Sequence, residues 1–264
     1  MKTKIGRMPY INSDIFYIHR EDCFEYVSYT PRQMGLAFEE GVIKAGPIAI
    51  VDFFRINKAK LFEDLCVSTK ESAKSVLLFS KKCKLQEINK VFITNQTSTS
   101  VNLLKVLSKY YWKITNLVLT ENQMEYDDCD AFLFIGDEAL NMGWGRGISP
   151  AQLPYSPNKT PLKIIDLGLE WFKYTSLPFV FAVWAYDDIT REECQILKES
   201  LYHNLRFDGD QYLNIPTISQ RRSTDNLKES TISWYLNGFN YRISKSETDS
   251  INLFKQLYND LQNA

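Results

Sequence analysis

Ala73-Lys74-Ser75-Val76-Leu77-Leu78-Phe79-Ser80 and Pro178-Phe179-Val180-Phe181-Ala182-Val183-Trp184-Ala185 are the two runs on which the fold turns. Each is short and almost continuously apolar, as a strand covered on both faces is. Between them the pattern alternates strand and helix, which favours α/β layers. Two buried strands flanking a self-contained αβ block mark a chain that crosses to a second lobe and comes back. The expected fold class is therefore α/β and two-lobed, with a ligand cleft between the lobes, a common place for small-molecule sites. The expected division is 1–82 for the first part of lobe 1, 83–182 for lobe 2, and 183–264 for the return to lobe 1 with C-terminal helices.

Working outward, residues 3–8 read as a strand and Asn12–His19 as a short helix. Thr30-Pro31 is a helix start, with Thr as cap and Pro at the first helical position. That helix runs to about Glu40, stops at Gly41, and offers Met34, Leu36, Ala37 and Phe38 as a buried face. Ala45–Ile50 reads as a buried strand, and Leu61–Val67 with Ala73–Ser80 as a strand pair. Further strands are expected at Lys90–Thr94, Leu117–Leu119, Ala131–Ile135 and Leu162–Asp166. Helices are expected at Ser98–Tyr110 and Gly168–Tyr174. The Gly/Pro-punctuated stretch Gly143–Pro161 reads as a long loop, at the surface or over a site. Beyond Thr190 the chain is mostly helical and ends on a stripe of Ile251, Phe254, Leu257, Tyr258 and Leu261.

The 264 residues carry 31 Lys and Arg against 32 Asp and Glu, a net charge of −1. No global field draws nucleic acid or an anionic membrane, so an anionic ligand has to be held by local donors. Cys23, Cys66, Cys83, Cys129 and Cys194 are widely spaced and form no CxxC pair, so they point to reduced thiols and not to a metal or redox site. The opening MKTKIGRMPY has no apolar core of the kind a secretory signal needs, and no apolar run is long enough to span a bilayer. The expectation is a cytoplasmic protein without a membrane partner. The sequence leaves the oligomeric state open.

Several short segments can carry chemistry. In Ile5-Gly6-Arg7-Met8-Pro9-Tyr10-Ile11-Asn12 a strand stops at Pro9 and delivers Asn12 to a helix start, where the amide either caps the helix or faces a ligand. Thr97-Ser98-Thr99-Ser100 follows a strand and opens a helix. Four hydroxyls, free backbone N–H groups and the positive end of the helix dipole meet there, which makes either an ordinary cap or an anion site. Ser75 is a small polar residue at a strand start. Gly136 would let backbone come close to a ligand at a strand end, and Asp137 reads as a helix cap sooner than a base. His19 and His203 belong to no recognisable triad, and no HExxH, P-loop or complete GxGxxG is present. Gly143-Trp144-Gly145-Arg146-Gly147 is Gly-rich but does not join a strand directly to a helix.

Taken together, the Ile5–Asn12, Lys74–Ser80, Thr97–Ser100 and Leu177–Trp184 segments resemble the chorismate dehydratases of the futalosine route to menaquinone. Ile135-Gly136-Asp137-Glu138-Ala139-Leu140 and Asp166-Leu167-Gly168-Leu169-Glu170-Trp171 match as well. The resemblance implies a periplasmic-binding-protein-like (type II) fold and conversion of chorismate to 3-[(1-carboxyvinyl)oxy]benzoate and water, with no cofactor and no metal. It places Asn12 beside the reacting ring as the catalytic residue. It makes Ser75, Thr97, Ser98, Thr99, Ser100, Gly136 and Asp137 substrate-binding, the Thr97–Ser100 turn holding a carboxylate. Glu170 and Trp171 read as structural. The chain departs from the family pattern with Thr97 in place of Ser, Glu71-Ser72 in place of Gly-Pro, and Asn12-Ser13-Asp14-Ile15-Phe16 after the first strand. Two other readings stand beside it. The 1,4-dihydroxy-6-naphthoate synthase of the same route has the same lobes, but it opens with a Ser-Pro-Cys-Pro-Asn type segment and uses a His, and neither feature is visible here. A non-catalytic cytoplasmic anion-binding module is also compatible, since a fold does not fix a function.

Overall fold

The strands sort into two sheets, and the order in which the chain visits them accounts for the two apolar runs. The computed structural model describes residues 2–145, 163–209 and 211–263. The first pass comprises β1 (Thr3–Arg7), a 3-10 turn at Ile11–Tyr17, β2 (Phe24–Ser28), α1 (Pro31–Glu39), β3 (Ala45–Ala49), α2 (Ile50–Arg55) and β4 (Lys60–Thr69). The middle block holds β5 (Val76–Ser80), β6 (Lys90–Ile93), α3 (Thr99–Val106), β7 (Val118–Thr120), β8 (Ala131–Ile135), α4 (Gly136–Trp144), β9 (Lys163–Asp166) and α5 (Leu167–Thr175). The return comprises β10 (Val180–Tyr186), α6 (Arg191–Asn204), a hairpin of β11 (Phe207–Asp208) and β12 (Gln211–Tyr212), α7 (Ile215–Arg222), α8 (Glu229–Leu236), β13 (Phe239–Arg242) and α9 (Lys245–Gln262).

One sheet has the order β13-β4-β10-β3-β1-β2 and the other β7-β6-β8-β5-β9. In the first, β1 runs parallel to β2 and β3, whereas β10 is antiparallel to β3 and β4. In the second, β6 is parallel to β7 and β8, and β5 is antiparallel to β8 and β9. All five residues of β5 are buried, as its unbroken apolar character requires. The expected pairing of 61–67 with 73–80 does not form, because β4 pairs β10 and β13 while β5 belongs to the other sheet. Sheet membership changes between Thr69 and Val76, and again between Asp166 and Val180, somewhat before positions 82 and 182.

Asp166 ties these two crossings together. Its carboxylate accepts from Ser72 Oγ (2.8 Å), Ala73 N (3.0 Å) and Lys74 N (2.6 Å) on the way out, and from Leu169 N (3.0 Å) as the cap of α5 on the way back. Lys74 sits there in the left-handed region at φ 59, which turns the chain out of the first sheet. Glu71, one of the departures noted above, is exposed and points away, and its neighbour Ser72 is one of the donors to Asp166.

Local chemistry sets the helices. Thr30 and Gln33 form a capping box at the start of α1, with Pro31 at its first position. Met34, Ala37 and Phe38 are buried, while Leu36 is about half exposed and belongs to the other face. Ser244 and Glu247 cap α9 in the same way. Phe254 of α9 packs edge-on against Phe179 (4.9 Å) and Trp171 (5.8 Å), so the last helix fastens the return crossing. Burial of one such ring contributes about 2–3 kcal/mol. Most of the expected 143–161 loop lies outside the described residues. Gly143 and Trp144, at its start, are the last turn of α4, where Gly143 leaves room for the Leu77 side chain. Among the described residues, no helix is long and apolar enough to cross a membrane.

Candidate functional site

A cavity opens between the two sheets, at the ends of β3, β4 and β8 and the starts of β5, β10 and β13. Met8, Tyr10, Asn12 and Ser13 approach from the turn after β1, and Ala49, Val67, Phe181, Ala182 and Phe239 form the apolar floor from the first sheet. The opposite wall is Ser75 and Val76 at the start of β5, Thr97–Ser100 at the start of α3, and Ile135-Gly136 at the end of β8. Of the expected site residues, the fold brings the catalytic candidate Asn12 and the substrate-binding candidates Ser75, Thr97, Ser98, Thr99, Ser100 and Gly136 into this one cavity. Asp137 stands outside it. Among the described residues, none that lines the cavity carries a formal charge.

The hydroxyls of the Thr97–Ser100 turn are not equivalent. Thr99 Oγ1 donates to the Phe181 carbonyl (3.0 Å) and so ties the α3 start to the first sheet. Thr97 Oγ1 is buried with no hydrogen-bond partner, although the fold could have placed a methyl there. Ser98 occupies the cap position yet makes no side-chain cap bond. The N–H groups of the first turn of α3 are therefore not satisfied by their own cap, and a helix start leaves such groups without intrahelical partners. Burial raises the carboxyl of Asp52, on α2 behind this turn, above its usual range, and the Ser98 hydroxyl and Arg55 oppose that shift.

Ser75 lies in a buried relay, with its Oγ 2.8 Å from Tyr235 OH and 3.3 Å from the Ala73 carbonyl. Burial pushes the Tyr235 phenol well above its ordinary value, so it stays a neutral donor. Asn12 Oδ1 accepts from Ser13 Oγ (3.3 Å), and among the described residues its NH₂ end has no partner. Gly136 has φ +65, and a Cβ there would stand 2.6 Å from the Tyr10 ring. The space beside this glycine is thus filled by Tyr10. Tyr10 in turn donates to Gln96 Oε1 (3.1 Å) across the junction of the sheets.

Asp137 does cap a helical turn, though a different one from its own. Its Oδ1 accepts from Ile11 N (2.9 Å), the first residue of the 3-10 turn that carries Asn12. Its Oδ2 is 3.3 Å from Arg222 Nη2. Burial raises its carboxyl, and the Ile11 amide and Arg222 pull it back down. Arg32 adds a further link across the junction, its N–H donating to the Gln96 carbonyl and its side chain pairing with Glu121 (3.0 Å). The histidines lie elsewhere, their rings edge-on at 4.6 Å, and neither lines the cavity.

The family described as "Menaquinone biosynthesis" matches residues 3–260 of this sequence. The chain belongs to that family. A chorismate dehydratase from Thermus thermophilus is 35% identical over 132 residues, which is 48% of this chain and 47% of that protein. The chain thus aligns with about half the length of this curated relative. Among solved structures, the protein AF1704 of Archaeoglobus fulgidus superimposes with a TM-score of 0.71 at 12% identity, covering 100% of this chain and 98% of the other. The periplasmic aliphatic sulphonate binding protein SsuA of Escherichia coli gives 0.61 at 14% identity, covering 99% and 87%. At these identities the likeness is one of fold, and the fold of this menaquinone-biosynthesis family member is the two-lobed periplasmic-binding-protein-like type.

Sequence reasoning passed over some residues that shape the site. Tyr10 sits inside the quoted Ile5–Asn12 segment and closes the cavity beside Gly136. Tyr235 and Arg222 lie in the helical C-terminal third, where nothing in the pattern points to the cleft. Asp166 did carry a signal, an Asp at a strand end with helix formers behind it. For a family member with this cavity, the chemistry on offer is charge stabilisation by fixed neutral donors in a mostly apolar enclosure, where such donors act most strongly.

Proposed function

We propose that this protein is a chorismate dehydratase, a carbon–oxygen lyase that converts chorismate to 3-[(1-carboxyvinyl)oxy]benzoate and water. One observation carries the reading: in a member of the menaquinone biosynthesis family, Asn12, Ser75 and the Thr97–Ser100 turn share a cavity in which no described lining residue is charged and the Thr97 hydroxyl is buried with no partner among the described residues. A dianion held there meets hydroxyls and N–H groups, and no general base among the described lining residues.

The chemistry fits such a site. The hydrogen on ring carbon 3 is vinylogous to the ring carboxylate, so its removal sends electron density into that carboxylate. Loss of the neighbouring hydroxyl then makes the ring aromatic. The carbon–hydrogen bond at carbon 3 and the carbon–oxygen bond at carbon 4 break, and the departing hydroxide takes up a proton to leave as water. In this reading the α3 start and the Thr97 hydroxyl stabilise the charge that builds on the ring carboxylate. The enolpyruvyl carboxylate of the substrate lies near carbon 3 and takes the proton. The Asn12 amide orients that region or assists the departing hydroxyl.

The test is incubation of purified protein with chorismate, following loss of the diene absorbance and the product mass. Loss of water with the enolpyruvyl group retained supports the dehydratase. Release of pyruvate, or binding with chorismate left unchanged, refutes it, and the latter outcome favours a binding module.

A further inference from the structure

We infer that an arginine-lined hollow behind the Asn12 turn is a second anion site, separate from the cleft and suited to a phosphate-type oxyanion. The hollow has a volume of about 220 Å³ and is lined by Arg7, Asp14, Tyr17, Ile18, Arg20, Ile218, Arg221 and Arg222. Four arginines and a single acidic residue, Asp14, therefore line it. Asp14 is fully used, its Oδ1 by Arg7 Nη2 (2.9 Å) and its Oδ2 by Arg222 Nε (2.7 Å). Arg222 Nη2 further donates to the Pro9 carbonyl (2.7 Å) and approaches Asp137 (3.3 Å), the next carboxylate along the wall.

Positive charge and donors remain after this pairing. Arg7 Nε is buried and has no partner. Among the described residues, neither Arg20 nor Arg221 has an ion pair. Arg20 lies 5.9 Å over the Tyr26 ring, where Glu21 is the nearby acid, and Arg221 has no carboxylate of the described residues within ion-pair distance. The last turn of α7 is a favourable place for Arg221 and Arg222, because the helix dipole is negative there. That does not account for Arg7 and Arg20, which reach the same hollow from β1 and from beyond the 3-10 turn. Guanidinium forks arriving from separate walls match a tetrahedral oxyanion, whose oxygens accept from several directions at once. With a whole-chain charge of −1, the attraction is a local property of this wall.

This site stands or falls apart from the reaction assigned to the cleft. The test is thermal unfolding of the full chain with inorganic phosphate, at ionic strength held constant with sodium chloride. A saturable rise in Tm of about 3 °C at ten times Kd is expected. The doubly substituted Arg20→Gln, Arg221→Gln protein, altered at two exposed positions, is expected to bind phosphate at least tenfold more weakly by isothermal titration. Thr99→Val, a cleft substitution, is expected to keep the full response. Phenyl phosphate run alongside distinguishes a free ion from an esterified group, and saturable binding of either supports the site. No response beyond that of chloride overturns the inference, as does a response unchanged in the arginine variant or lost in Thr99→Val.

Discussion

Gly136→Ala is the sharpest probe of how the two lobes are fitted together. Two independent costs meet at this position. Its φ of +65 lies in the left-handed region, where a Cβ costs about 1–2 kcal/mol. The new Cβ would also stand 2.6 Å from Cδ1 and Cε1 of Tyr10, so the ring has to move. Moving it breaks the 3.1 Å bond to Gln96 across the junction, worth about 0.5–1.5 kcal/mol net. The expected loss is about 2–4 kcal/mol, a fall in Tm of roughly 4–8 °C for a chain of this size. The assay is urea unfolding of a double-mutant cycle with Tyr10→Ala. Without the ring only the backbone cost remains, so Gly136→Ala should cost about 1–2 kcal/mol less in the Tyr10→Ala background. Equal losses in the two backgrounds, or a single-mutant loss below about 1 kcal/mol, would refute the argument that Tyr10 occupies the space kept free by the glycine.

Further outcomes follow from other contacts. Thr97→Val replaces a buried hydroxyl that bonds to nothing in the protein, so Tm should hold within about 2 °C while turnover of chorismate falls; equal loss of both, or of neither, counts against a ligand role for that oxygen. Asn12→Ala should lower kcat by about 10²-fold if the amide faces charge that develops in the transition state, and unaltered kcat excludes that role. Asp166→Asn keeps one acceptor but turns an NH₂ toward Lys74 N and Ser72 Oγ, for a loss of about 3 kcal/mol, with faster amide exchange at residues 72–75 as the specific readout. Lys74 is buried against Trp234, and that burial pulls its amine down from 10.5 to about 8, with Asp166 opposing. Between pH 8 and 10.5 the unfolded chain therefore holds at Lys74 a proton that the folded chain does not, so this residue's contribution to stability should rise with pH across that window, against the opposite contribution of buried groups such as Cys66 and Tyr235. The rise should be absent in Lys74→Met, and an identical slope in both proteins by urea midpoint would overturn the assignment.

What the sequence made legible was the part set by local chemistry. Thr30-Pro31 announced α1, the apolar runs announced β5 and β10, and the stripe at Ile251, Phe254, Leu257, Tyr258 and Leu261 announced α9. Pairing was harder, because two adjacent apolar runs look like a hairpin whether or not they share a sheet. Only the turn at Lys74 and the pull of Asp166, which is distant in sequence, send β5 elsewhere. α2 was missed because it follows β3 without a breaker, so Ile50, its first residue, read as the end of the strand. β2 was missed because an edge strand with Glu25 and Ser28 lacks an apolar run. In the site, the cleft-facing residues came from segments next to strand ends, where ligands of α/β folds gather. Asp137 and Arg222 act through the backbone of Ile11 and across the junction, and such roles leave no spacing in the sequence.

The place of β10 bears on how the chain comes to be folded at all. It sits mid-sheet between β3 and β4, and where it enters, Phe179 N bonds to Thr69 Oγ1 over a separation of 110 residues. At translation rates of about 5–20 residues per second, roughly 5–20 s pass between the emergence of those partners. Through that interval the edges of β3 and β4 that β10 will cover have no permanent neighbour, while by its end the inserted block has all its own strands. The guest domain can therefore mature on the ribosome before its host, and exposed host edges are where a nascent chain of this topology most needs a chaperone.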